Sequence, residues 1–128
     1  MAYYMNKTII GKYDAVVTRT TELLKEEGFG VLTEIDVQSV LKNKIDVDFR
    51  KYKILGACNP HYAHKALQSE DKIGTMLPCN VIVQEMEGGE VEVAAVDPIA
   101  SMMAVGNPAL EAMAQEVRGK LQHVIEAL

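Results

Sequence analysis

Hydrophobic and polar positions along the 128-residue chain change period several times, and each change marks an element. Residues 5–13 mix apolar and polar positions in a way that suits a strand near the edge of a sheet. Asp14 stands where it can cap the next segment, in which Val16, Thr20, Leu23 and Leu24 share one face at helical spacing. Gly28 supplies the left-handed conformation that stops such a helix after about four turns. From Gly30 the period shortens to two, with Val31, Thr33 and Ile35 alternating with Leu32, Glu34 and Asp36, so a strand follows. Asp36 is then placed to cap a short helix with Val37, Val40 and Leu41 inward.

The second half is more sharply punctuated. Residues 52–58 form a short apolar run between a charged loop and Asn-Pro, a strand ending at Cys58. Asn59 is expected to cap the next helix and Pro60 to be its first residue, where a missing N–H costs nothing. That helix turns Ala63, Ala66 and Leu67 inward and ends near Ser69 or Glu70. A loop with Gly74 and Pro78 leads to Cys79, after which Val81, Val83 and Glu85 alternate with Ile82, Gln84 and Met86. Glu87-Gly88-Gly89-Glu90 is the turn of a hairpin whose second strand runs from Val91 to Val96 and closes at Asp97-Pro98. Beyond Met102 and Met103, Asn107-Pro108 opens the strongest helix, with Leu110, Met113, Ala114, Val117, Leu121, Val124, Ile125 and Leu128 on one stripe.

The order is β-α-β-(α)-β-(α)-β-β-α. Successive strands without long crossover helices favour an antiparallel sheet, and the two long helices need a sheet face on which to bury their stripes. The expected fold is α+β: an antiparallel sheet packed on one side by two main helices, in a single domain over residues 1–128. If the strand ending at Cys58 and the strand starting at Cys79 are antiparallel neighbours, both cysteines come to the same end of the sheet. Disulfide reach would then need Cα atoms about 4.4–6.8 Å apart.

Composition narrows the function classes. Thirteen basic residues, scattered, against eighteen acidic ones give a net charge of −5, so the electrostatic footprint of a nucleic-acid binder is absent. With no Trp and only two Phe, the core is built from Val, Ile, Leu, Met and Ala, which is no base-stacking surface. The first residues lack the basic and apolar regions of a signal peptide, and no window approaches the roughly 18 apolar residues of a membrane span. The expectation is a cytoplasmic protein, where two cysteines are usually reduced thiols.

Ile54-Leu55-Gly56-Ala57-Cys58-Asn59-Pro60, then Ala63 and Ala66-Leu67, then Leu77-Pro78-Cys79-Asn80-Val81-Ile82-Val83, and finally Asp97-Pro98 carry a resemblance. Over nearly its whole length the chain resembles the family called domain of unknown function 302. The resemblance implies a TATA-binding-protein-like fold, with an antiparallel sheet and two main helices, and commonly a homodimer. It implies no activity. His61 and His64 lie outside the motifs that carry it.

Candidate chemistry centres on the only two thiols. Cys58 and Cys79 can be small buried hydrophobes at strand ends. Alternatively, Cys58 lies just before a helix N-terminus, near unpaired N–H groups that favour a thiolate, which makes it the nucleophile and Cys79 its resolving partner. Cys58, His61, His64 and Cys79 would make a Cys2His2 zinc set, but the Cys-x2-His-x2-His spacing is no established pattern, and no metal is expected. Carboxamides such as Asn59 and Asn80 orient small polar molecules. Capping suffices to explain Asn59, whereas Asn80 has no helix to cap and either satisfies a turn or faces a pocket beside Cys79.

Conventional enzyme signatures are missing: there is no phosphate-binding glycine loop, no Gly-x-Ser-x-Gly elbow and no His-Glu-x-x-His. Glu85 and Glu92 read as the solvated face of a sheet, and the methionines as core or an adaptable interface. The sequence therefore points to a homodimeric small-ligand binding or interaction protein with a site at Cys58, Asn59, Cys79 and Asn80, and with no cofactor. The alternative is a thiol-dependent redox or sulfur-transfer protein using Cys58 with Cys79.

Overall fold

Strand alternation decides which side of the sheet is dry. The computed structural model describes residues 2–128. Its five strands, β1 (Tyr4–Ile10), β2 (Gly30–Asp36), β3 (Tyr52–Cys58), β4 (Cys79–Glu85) and β5 (Glu90–Val96), form one sheet in the order β1-β5-β4-β3-β2. Every neighbouring pair is antiparallel. Met5, Leu55, Ala57, Val81, Val83, Val91, Val93 and Ala95 face one side and join the core. Two helices cover that side, α1 (Tyr13–Glu26) through Val16, Val17, Leu23 and Leu24, and the C-terminal helix Pro108–Ala127 through Val117, Leu121, Val124 and Ile125. Leu24, Leu55 and Leu121 are completely buried, each stabilising the fold by about 1.5–3 kcal/mol relative to exposure. The α+β architecture with its antiparallel sheet is as the periodicity predicts.

Shorter elements fill the connections: α2 (Val37–Ile45), α3 (Pro60–Ser69), a 3-10 turn (Asp71–Met76) and α4 (Pro98–Met102), which leaves the C-terminal helix as α5. Asp36 caps α2 by accepting from the Ser39 N–H at 3.1 Å. Gly28 (φ 86°), Gly88 (φ 77°) and Gly89 (φ 79°) take left-handed backbone, which ends α1 and turns the β4–β5 hairpin. Among the described residues, no helix is long and apolar enough to cross a membrane.

Four local expectations are corrected. The first strand stops at Ile10, because Tyr13 belongs to α1: its ring is buried and its hydroxyl donates to the Val83 carbonyl at 3.2 Å. Asp14 therefore lies inside the first turn, where it complements the helix dipole, and Lys12 holds the cap position without a side-chain bond. Helix α2 buries none of its residues, and Val40 is exposed, because α2 connects β2 to β3 away from the core layer. Leu67 is likewise exposed; α3 is anchored through Ala66, packed with Ile73 and Leu110 in a satellite cluster.

The other side of the sheet carries no helix of the core layer. Arg50 Nε donates to Gln84 Oε1 (2.8 Å), Gln84 Nε2 to Glu92 Oε1 (2.7 Å), and Asn6 Nδ2 to Glu92 Oε2 (2.8 Å). This side-chain ladder runs from the segment just before β3 through β4 and β5 to β1. It accounts for Glu92 structurally.

Candidate functional site

The register of the central strands brings the two cysteines to one end of the sheet. Ala57 pairs with Cys79 across β3 and β4, and Cys58 pairs with Gly30 across β3 and β2. Both cysteines are free, and each residue as a whole is half-buried. Immediately beyond Cys58 the chain turns into α3, and α3, α4 and α5 close over the sheet end. They border a half-open cavity of about 60 Å³. Its lining is almost wholly apolar: Phe29, Ala57, Ala66, Pro78, Met102, Met113 and Val117 join Cys58, Cys79, Asn59 and Tyr62, and no charged residue takes part.

Burial dominates the electrostatics. The Cys79 thiol is pushed up from 9.0 to about 11, first because its surroundings cannot solvate a thiolate and second because the Cys58 sulfur lies near it. Cys79 is therefore a neutral thiol at physiological pH. Tyr62 presents its ring to the cavity, while its hydroxyl donates to Glu116 Oε2 at 2.8 Å, and that bond raises its pKa.

Asn59 departs from the expected capping role. It occupies the N-cap position with extended backbone (φ −100°, ψ 108°) and Pro60 follows, yet its side chain makes no capping bond. Its Oδ1 is buried and has no hydrogen-bond partner. The carboxamide is turned toward Gly28, whose missing Cβ leaves it room. The two other Asx-Pro starts behave differently: Asp97 Oδ1 accepts from the Ile99 N–H at 3.0 Å, and Asn107 Oδ1 from the Ala109 N–H at 3.0 Å.

Asn80 is not brought to this cavity. Successive residues of a strand face opposite sides, so with Cys79 inward, Asn80 is exposed in a shallow groove on the far side of the sheet with Tyr4, Tyr52 and Ile82. His61 and His64 are exposed on α3. Among the described residues no three His, Cys, Asp or Glu side chains converge in a way that could hold a metal ion. The structure thus groups Cys58, Asn59 and Cys79 and sets Asn80 and both histidines apart.

Several lining residues were invisible as site residues. Met113 lies on the stripe of α5 and reads as core; Phe29 and Tyr62 carry no local signal, because only tertiary packing joins the end of α1 to α3. Met102, Leu110 and Ala114 also separate the cavity from an outer cleft of about 420 Å³ beside Gly106 and Asn107. Chemically, the arrangement can take up a compact apolar group beside two thiols and one carboxamide. It offers no acid–base pair.

No curated protein matches the chain. A solved structure that it resembles is the crystal structure of uncharacterized conserved protein DUF302 from Bacillus stearothermophilus, 28% identical, with 98% of each chain covered and a TM-score of 0.90. The family described as Domain of unknown function DUF302 matches residues 5–128, and the chain belongs to it.

Proposed function

We propose that this is a cytoplasmic, homodimeric, non-catalytic protein that binds a small ligand in the cavity at Cys58, Asn59 and Cys79. The observation that carries the reading is a half-open apolar cavity, free of charged side chains, met by a single carboxamide. Ligand sites are typically concave and apolar with a few polar groups that fix orientation. The test is methyl NMR of the seven methionines under xenon, which fills apolar cavities. Met102 and Met113 signals shift, whereas those of exposed Met76, Met86 and Met103 do not. Uniform shifts, or none, overturn the reading. The homodimer is supported by the uncovered side of the sheet, where Tyr4 and Ile35 are exposed. Sedimentation at twice the chain mass is expected, and a monomer refutes it.

The second reading is thiol chemistry, favoured by two free thiols lining one cavity. In its redox form the Cys58 thiolate attacks one sulfur of a small disulfide and expels a thiolate. Cys79, once deprotonated, displaces the second half, so two electrons and two protons pass from the protein to the disulfide. In its sulfur-transfer form the Cys58 thiolate attacks the outer sulfur of a small persulfide, whose inner sulfur leaves as a thiolate, and Cys58 holds the transferred sulfur until an acceptor thiolate takes it. Intact mass with and without reductant reveals a two-hydrogen loss, an adduct or a persulfide. Thiols that stay unmodified until denaturation eliminate this reading.

A further inference from the structure

We infer that the cavity takes a compact, uncharged molecule, or the compact uncharged end of a larger one, which donates a hydrogen bond to Asn59 Oδ1. The inference rests on the small-ligand reading above and adds the chemical class.

Three observations carry it. First, Asn59 lines the cavity and holds a buried acceptor with no partner. Burying such a group unpaired costs about 1–3 kcal/mol, and the other two Asx-Pro sequences avoid that cost by capping their helices. The carboxamide at residue 59 is withheld from the helix, so its acceptor is free for another donor. Second, no Asp, Glu, Lys or Arg lines the cavity, so an ion entering it would lose its hydration without a counter-charge. The other polar side chains cannot substitute for the acceptor: the Tyr62 hydroxyl already serves Glu116, and the thiols of Cys58 and Cys79 are weak hydrogen-bonding groups. Third, a cavity of about 60 Å³ is small, since an apolar cavity of roughly 150 Å³ is what holds benzene. A group of about three or four heavy atoms is the upper limit, and a five-membered ring enters only as Met102, a flexible side chain shared with the outer cleft, gives way.

Pyrrole and furan separate these ideas. The rings have nearly the same size and shape; pyrrole carries an N–H donor, and furan, the less polar of the two, carries only an acceptor. Titration of wild-type protein with each, followed at the Met102 and Met113 methyls, is expected to give about tenfold tighter binding of pyrrole. In Asn59→Leu that preference disappears while furan still binds. The wild-type comparison needs no variant and holds even if Asn59→Leu folds poorly. Equal binding, tighter furan, or a pyrrole preference that survives Asn59→Leu overturns the donor inference and leaves the cavity reading standing. If neither ring nor xenon shifts Met102 and Met113, the cavity reading fails and this inference with it.

Discussion

The carboxamide of Asn59 lies against Gly28: a Cβ at residue 28 would stand 3.0 Å from Asn59 Nδ2. Gly28 also holds φ at 86°, in the left-handed region where it terminates α1. One glycine thus serves two neighbours. It ends the helix through its backbone and, by lacking a side chain, lets Asn59 turn away from the first turn of α3. The end of α1 and the start of α3 are tied together at the edge of the cavity.

Gly28→Ala is expected to lose about 1–2 kcal/mol in urea unfolding, roughly 1 from the positive φ and the remainder from the Asn59 contact. The second part depends on Asn59. In an Asn59→Ala background the cost should fall to the backbone part alone, and a double-mutant cycle reads the difference. A cycle with no coupling means that the carboxamide does not rest on residue 28.

Asn59 and Asn107 look alike in sequence and should respond oppositely to removal. Asn107→Ala loses a helix cap, about 1 kcal/mol, together with the Nδ2 bond to the Ser69 carbonyl at 3.2 Å that ties α5 to the end of α3. Asn59→Ala removes a carboxamide whose acceptor has no partner, so it should be close to neutral or slightly stabilising. Chemical denaturation of the two variants decides it: a loss of a full kcal/mol at residue 59 would restore the capping role.

This pair also marks how far the sequence can be read. Asn-Pro correctly places both helix starts, because Pro at the first position and Asx before it are local preferences. Which Asx bonds to its helix depends on Gly28, thirty-one positions away in the chain from Asn59, and no local pattern encodes that. The cysteine neighbourhood was legible because hairpin and strand boundaries set the register of Ala57 against Cys79. The placement of Asn80 was legible too, and the grouping of Asn80 with Cys79 overlooked strand alternation. Helix α2 misleads for another reason: Val37, Val40 and Leu41 keep helical spacing, but α2 has no core surface to meet.

Gly56 constrains the strand that delivers Cys58. A Cβ there would collide with Thr33 Oγ1 and stand 2.9 Å from Pro78 Cγ, so β3 carries no side chain where β2 and the entry to β4 press closest. Gly56→Ala is expected to cost about 1–3 kcal/mol as an overpacked site. Adding Thr33→Ala removes one of the two colliding groups and should recover part of that loss. No recovery in thermal or urea unfolding would mean that Thr33 is not the obstacle.

The buried thiol of Cys79 predicts a specific alkaline weakness. Its folded-state value is raised from 9.0 to about 11, so between those limits the unfolded chain has released a proton that the folded chain still holds. Stability then falls as pH rises through this window and is fully present below it. Two units correspond to a loss of about 3 kcal/mol at most. Tyr13 is also raised, mainly by burial, and adds its own loss above its ordinary value of 10.0, so wild-type data alone do not isolate the thiol. Comparison with Cys79→Ala under reducing conditions does, because Tyr13 is common to both proteins. Urea unfolding at successive pH values should show the two stability curves converging between pH 9 and 11 as the wild type loses its advantage. Curves that stay parallel would place the Cys79 sulfur in contact with solvent, and would remove the reason for treating Cys79 as the less reactive of the two thiols.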